Sequence, residues 1–270
     1  MRPLEKAVCI VLTLFITPAA AMGGPEQWRD PPLSSVTITV LYDNNPFVPG
    51  LRREWGFSAL VESEGRSILF DTGGDGKTLL HNMKKLGKDP GAVGTVVISH
   101  GHGDHTGGLD SIVEVATRPR VFLPGSLPQG YSEALRVRGA DVARVSGPTR
   151  ILAGVYSTGE MGEIIPEQAL ILSTKPGLVV ITGCAHPGIV SMVRRAKALL
   201  KRKVFLVMGG FHLLSSSPGR IESVVEDFRQ MGVQKVAPCH CTGDEARRLF
   251  EHAYLGDFIR AGVGRAIEIR

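Results

Sequence analysis

The chain has 270 residues, 43% hydrophobic and 21% charged, enough to bury one large core or two small ones and too apolar for a disordered chain. Its net charge of +5 arises from interleaved acids and bases rather than a block of lysine or arginine. That pattern argues against nucleic-acid binding and leaves room for an anionic small-molecule substrate.

Residues 1–21 join a basic start, Met1-Arg2-Pro3-Leu4-Glu5-Lys6, to an apolar run over 7–16 and the small residues Ala19-Ala20-Ala21, the pattern of a secretory signal peptide. A bilayer span needs about twenty apolar residues, so no membrane span is expected in the mature protein, which reads as exported, periplasmic or secreted. Removal of this segment leaves Cys184, Cys239 and Cys241, an odd number in an oxidising compartment, so at least one thiol is expected to be unpaired. Cys239 and Cys241 flank His240 too closely for an easy disulfide and are expected to pack or to shape a turn. Residues 22–35, rich in Pro, Gly and Ser, predict a flexible leader.

From residue 36 the pattern becomes regular. Short β-branched runs predict strands at 36–41, 57–61, 67–70, 95–98, 121–123, 142–145 and 151–155, and further apolar runs predict strands at 178–181, 204–208 and 235–236. Apolar residues at helical spacing predict helices at 76–86, 109–116, 189–200, 221–231 and 244–254. Two strand-rich halves with helices outside point to a mixed α/β (α+β) chain folded as a four-layer αββα sandwich. No internal repeat or linker divides residues 36–270, which read as one domain. The segment 43–54, with Pro46, Pro49, Arg52 and Arg53, reads either as a lid over a site or as a plain connecting loop.

Chemistry concentrates after the strand at 95–98. His100-Gly101-His102-Gly103-Asp104-His105 packs three imidazoles and a carboxylate into six residues, with glycines that let the loop fold tightly. Neutral imidazole and carboxylate are what borderline divalent ions such as Zn²⁺ accept, at about 2 Å each. Three more histidines, His186, His212 and His240, each follow a predicted strand, a coincidence that packing alone explains poorly. His81 and His252 fall on predicted amphipathic helices and read as surface or packing residues.

The phrase His100-x-His102-x-Asp104-His105-Thr106-Gly107-Gly108-Leu109 resembles the signature of the metallo-β-lactamase superfamily, and Asp71-Thr72-Gly73 after Ile68-Leu69-Phe70 is similar to that family's first motif. The resemblance implies the metallo-β-lactamase fold, with His100 and His102 on one metal, Asp104 and His105 on a second, a metal-activated water as nucleophile, and Asp71 supporting the metal loop. Over nearly the whole mature chain the sequence also resembles the branch of 7,8-dihydropterin-6-yl-methyl-4-(β-D-ribofuranosyl)aminobenzene 5'-phosphate synthases. Members of that branch commonly carry His before Gly56, where this chain has Trp55.

Two departures from the superfamily pattern bear on the metals. No histidine lies between His105 and His186, so His186 is the candidate to complete the first site, with His240 a further ligand. The turn Gly183-Cys184-Ala185-His186 has no aspartate where the family has a bridging one; either the bridge is absent or Cys184 supplies a thiolate.

The expected function is hydrolysis assisted by two divalent ions about 3.5–4 Å apart, zinc first, with iron or manganese as other options. Asp104 orients the attacking water, and His212 donates a proton, binds an anionic oxygen or sits as an unreactive support. The favoured substrate is a small phosphorylated or cyclic phosphate ester, pterin-like if it follows the resemblance, because paired cations suit developing negative charge. Lactone or β-lactam ring opening is the competing enzyme reading, and a non-catalytic metal-binding or sensing protein is the third. Oligomeric state is unknown from the sequence.

Overall fold

The computed structural model describes residue 28 and residues 30–270, and the alternating apolar runs within it pair into two sheets. The expected signal segment lies outside the described residues. The first half runs β1 (Val36–Tyr42), β2 (Ser58–Ser63), β3 (Arg66–Phe70), α1 (Gly76–Lys85), β4 (Thr95–Val97), the single turn α2 (Gly103–Thr106), α3 (Leu109–Val115), β5 (Arg120–Pro124), α4 (Gln129–Val137) and β6 (Asp141–Val145). The second half runs β7 (Thr149–Leu152), β8 (Val155–Ser157), β9 (Leu170–Ser173), β10 (Leu178–Thr182), α5 (Ile189–Leu200), β11 (Val204–Gly210), α6 (Pro218–Gln230), β12 (Lys235–Cys239) and α7 (Asp244–Tyr254). The chain then returns to the first half as β13 (Ala266–Ile269).

The first sheet has the order β13-β1-β2-β3-β4-β5-β6 and the second β12-β11-β10-β9-β8-β7. Strand alternation divides their side chains between layers. Ile38, Val61, Phe70, Leu172, Val179, Ile181 and Met208 form the core between the sheets. Val180 and Val207 face outward instead, under Met192, Val193, Val224 and Phe228 of α5 and α6. Leu69, Val96 and Val121 are covered in the same way by Leu79 and Met83 of α1 and Ile112 of α3. The result is the four-layer αββα sandwich expected.

Parallel pairing positions the site. β3 and β4 run parallel in the first sheet, as do β10, β11 and β12 in the second. Their carboxyl ends gather at one edge, the end at which open α/β sheets bind ligands. The loops after β3, β4, β10, β11 and β12 carry Asp71, His100–His105, His186, His212 and His240 in turn.

Several elements differ from the sequence expectation. The single strand expected at 151–155 is a hairpin, because Gly154 adopts a φ of +76° and turns β7 back on β8. Helix α6 begins at Pro218, before its first apolar residue, because Ser217 caps it by accepting from the Arg220 N–H and proline suits the first turn. The strands β9 and β13 and the helix α4 were not expected. Of the segment expected to be a flexible leader, Trp28, Asp30 and Leu33 pack on the second sheet, and Ser34 and Ser35 bond to the β2–β3 hairpin of the first. Trp28 stacks on Tyr156 at 4.9 Å, Asp30 accepts from the Tyr156 hydroxyl at 2.7 Å, and Leu33 is buried beside Thr174. Two apolar residues and one acid anchor a stretch whose composition otherwise reads as loop.

Ile38 has no exposed surface between the sheets, whereas Val137 on α4 is 89% exposed. Ile38→Ala is expected to lower unfolding free energy in urea by about 2–5 kcal/mol, and Val137→Ala to stay within about 0.5 kcal/mol.

Candidate metal centre

Asp71 follows β3 in a left-handed conformation, φ +56°, which turns its carboxylate under the loop after β4. Its Oδ1 accepts the Ser99 N–H at 2.6 Å, and its Oδ2 accepts the Ser99 hydroxyl at 2.7 Å and His105 Nδ1 at 2.7 Å. The Ser99 oxygen, having given its proton to Asp71, accepts from His100 Nδ1 at 2.9 Å. One carboxylate thereby fixes the tautomer of two buried imidazoles, leaving the lone pair of each Nε2 aimed into the site. Gly183 at the end of β10 makes this approach possible, since a Cβ there would lie 2.1 Å from the Ser99 hydroxyl and 2.8 Å from the Asp71 carboxylate.

His240 is set by a different residue. Its Nδ1 lies 3.1 Å from Asn44 Oδ1, an acceptor, so Nδ1 carries the proton and Nε2 the lone pair. The Trp55 ring sits 4.8 Å from the His240 ring, brought there by Gly56, where a Cβ would stand 2.4 Å from the Asp104 carbonyl. The segment 43–54 is thus a wall of the site.

Around these fixed rings the expected residues converge. His105 Nε2 lies 3.2 Å from Cys184 Sγ, and the Asp104 carboxylate lies 3.5 Å from His105 Nε2 and 3.4 Å from His240 Nε2. Asp104, His105, Cys184 and His240 form one group able to hold a metal ion, and His100, Cys184 and His186 form another. His102 joins from the exposed side, its Nδ1 3.1 Å from His100 Nε2 and its ring 4.8 Å from that of His186. His212 stands beyond, its ring 4.4 Å from His186, and with Cys184 and Cys241 makes a third group. His81 and His252 lie away from this array, as expected, on α1 and α7.

The donor set suits divalent cations. His186 Nε2 and His240 Nε2 are buried without a hydrogen-bond partner, a costly arrangement unless a cation accepts their lone pairs. Burial, then neighbouring His212, His102 and His105, push His186 down to about 4, and burial with the same crowding holds His100 far below the usual histidine range. Both rings are therefore neutral at pH 7, the form that binds metal. Burial alone would raise the Asp104 carboxyl, but His240 and His105 outweigh it and keep the group ionised. Four non-glycine residues here, Asp71, Ala185, His212 and His240, hold positive φ, strain of order 1–3 kcal/mol each that recurs at functional sites.

Glu167 was not foreseen from the sequence. Fully buried before β9, it accepts the N–H groups of Gly183, Cys184 and Ala185 on Oε1 at 3.1, 2.9 and 2.8 Å and that of His186 on Oε2 at 2.9 Å. It shapes the turn that carries Cys184 and His186. Its only signal in the sequence is an acid two residues before the apolar run Ala169-Leu170-Ile171-Leu172. The three cysteines Cys184, Cys239 and Cys241 are buried free thiols.

Residues 55–121 match the Metallo-beta-lactamase superfamily. The chain is 31% identical over 274 residues to the 7,8-dihydropterin-6-methyl-4-(beta-D-ribofuranosyl)-aminobenzene-5'-phosphate synthase of Methanocaldococcus jannaschii, covering 83% of this chain and 92% of that one. It is 30% identical to the uncharacterized protein MJ0448 of the same organism, over 86% of this chain and all of that one. Among solved structures it is similar to Tm1679, a metal-dependent hydrolase of the beta-lactamase superfamily, at 32% identity and a TM-score of 0.73, covering 87% of this chain and 99% of that one.

Glu167→Gln replaces one acceptor oxygen with an amide that cannot take an N–H. Urea unfolding is expected to show a loss of about 1–3 kcal/mol, with lower metal content after dialysis, whereas an unchanged midpoint and metal content would remove Glu167 from the site's architecture.

Proposed function

The chain belongs to the metallo-β-lactamase superfamily, and from that premise we propose that it is an exported hydrolase that uses two divalent metal ions, zinc foremost, to cleave an ester bond of a small phosphorylated molecule. The observation that carries this reading is the pair of buried, unpartnered nitrogens, His186 Nε2 and His240 Nε2, facing Asp104, His105 and Cys184.

His100, His102 and His186 would hold one ion and Asp104, His105 and His240 the other. Cys184, which belongs to every candidate group among the described residues, would supply a thiolate to either ion. Ions held there supply positive charge that lowers the pKa of a bound water towards neutrality and polarises the bond under attack. The protein's own contribution is to orient and to move protons. Asp104, with 21% of its side chain exposed, accepts a hydrogen bond from the attacking water. His212 is exposed at the mouth, and its hydrogen bond with Cys241 raises its affinity for a proton, which suits it to protonate the departing oxygen. The relative's name, a pterin-containing 5'-phosphate synthase, supports a pterin-like, phosphorylated substrate.

Elemental analysis of the purified protein beside His186→Ala and His240→Ala, with hydrolysis of a phosphodiester and a lactone followed in parallel, tests this. About two metals per chain, with phosphodiester turnover falling more than about 100-fold in both variants, is the expected result. Turnover of the lactone alone would transfer the reading to ring opening. Full metal content without turnover of either substrate would make the protein a metal binder.

A further inference from the structure

Beside the metal centre lies a cavity of about 340 Å³ that shares His240 and Asn44 with it. That volume fits a small molecule rather than a polymer. Three guanidinium groups line it, those of Arg53, Arg247 and Arg260, against the single carboxylate of Asp244. Arg247 is already engaged, by Asn45 Oδ1 at 2.5 Å, the Ala261 carbonyl at 3.2 Å and Asp244 at 3.4 Å. Arg53 and Arg260 are exposed, and their side chains have no hydrogen-bond or ion-pair partner among the described residues.

The remaining wall joins the polar side chains of Asn44, Asn45 and His240 to an apolar side. Trp55 and Leu214, 49% and 60% exposed, both line the cavity, and the Trp55 ring also touches His240. An exposed tryptophan beside two unpaired arginines is a surface that water serves poorly and a flat anionic ligand serves well, since the indole face stacks on planar rings and guanidinium forks match phosphate oxygens.

We propose that this cavity binds the non-reacting end of the substrate: a flat heterocycle or aryl ring between Trp55 and Leu214, carrying a terminal phosphate held by Arg53 and Arg260. Two free guanidinium groups match a dianion, and contact between Trp55 and His240 sets the bound ring next to the candidate metal ligands. The proposal rests on the hydrolase reading for what happens at the metals, but the binding itself does not depend on turnover.

The test compares adenosine 5'-monophosphate with adenosine, one ring system with and without the dianion, by titration calorimetry on the zinc-loaded full-length protein. The monophosphate is expected to bind about tenfold more tightly, a difference that shrinks to within about twofold in the Arg53→Ala/Arg260→Ala double variant at unchanged zinc content and melting temperature. Trp55→Ala is expected to weaken both ligands alike. A preference that survives in the double variant means that the metals hold the phosphate and overturns the proposal, as does equal binding of the two ligands to the unmodified protein. Loss of ester turnover with the preference intact would instead remove the hydrolase reading and leave the subsite standing.

Discussion

The Asp71 carboxylate accepts the Ser99 N–H, the Ser99 hydroxyl and His105 Nδ1, and through the Ser99 oxygen it also orients His100. Three buried polar groups of the loop after β4 are thus satisfied by one side chain at the end of the adjacent parallel strand β3. The geometry of the loop after β4 and the approach of β10 to it follow from that constraint. Two imidazole lone pairs are forced inward, the end of β10 must approach closely enough that only glycine fits at 183, and the turn after it is free to present Cys184 and His186. Removal of a single acceptor in such a network leaves buried donors unpaired, which costs more than the bond itself contributes.

Glu167 plays the matching part in the second sheet, gathering four N–H groups at the Gly183–His186 turn. Two buried acids, one from each half of the sandwich, thus hold the two halves of the centre, while Asn44 fixes His240 from the wall segment. The sandwich core supplies the rigidity these bonds need, since the side chains of β10 are fully buried between the other sheet and α5. The centre is stiff at its base and open at the side of His102 and His212, and the arginine-lined cavity opens from the His240 side.

Much of this was legible in the sequence. The loop with His100, His102, Asp104 and His105 announces itself by density, and the helices α5 and α7 have the bounds that their apolar spacing predicts. His186, His212 and His240 could be grouped because each follows a strand, and the structure brings all three to the same edge. What stayed hidden depends on tertiary contact. Glu167 and Asn44 have no motif, because their roles lie in accepting hydrogen bonds from segments 16 to 196 residues away in the chain. β9 and β13, of four residues each, are fixed by pairing with β8, β10 and β1. Arg53 and Arg260 look like ordinary surface charges until the wall segment and the stretch after α7 fold to one cavity.

X-ray absorption at the zinc edge, on zinc-loaded protein and its Cys184→Ser variant, tests most directly whether Cys184 takes its place among the imidazoles as a shared ligand. A sulfur scatterer at about 2.3 Å beside nitrogen at about 2.0–2.1 Å, lost in the variant, is the predicted result. A shell of nitrogen and oxygen alone in the unmodified protein, or a sulfur signal that persists in Cys184→Ser, would contradict it.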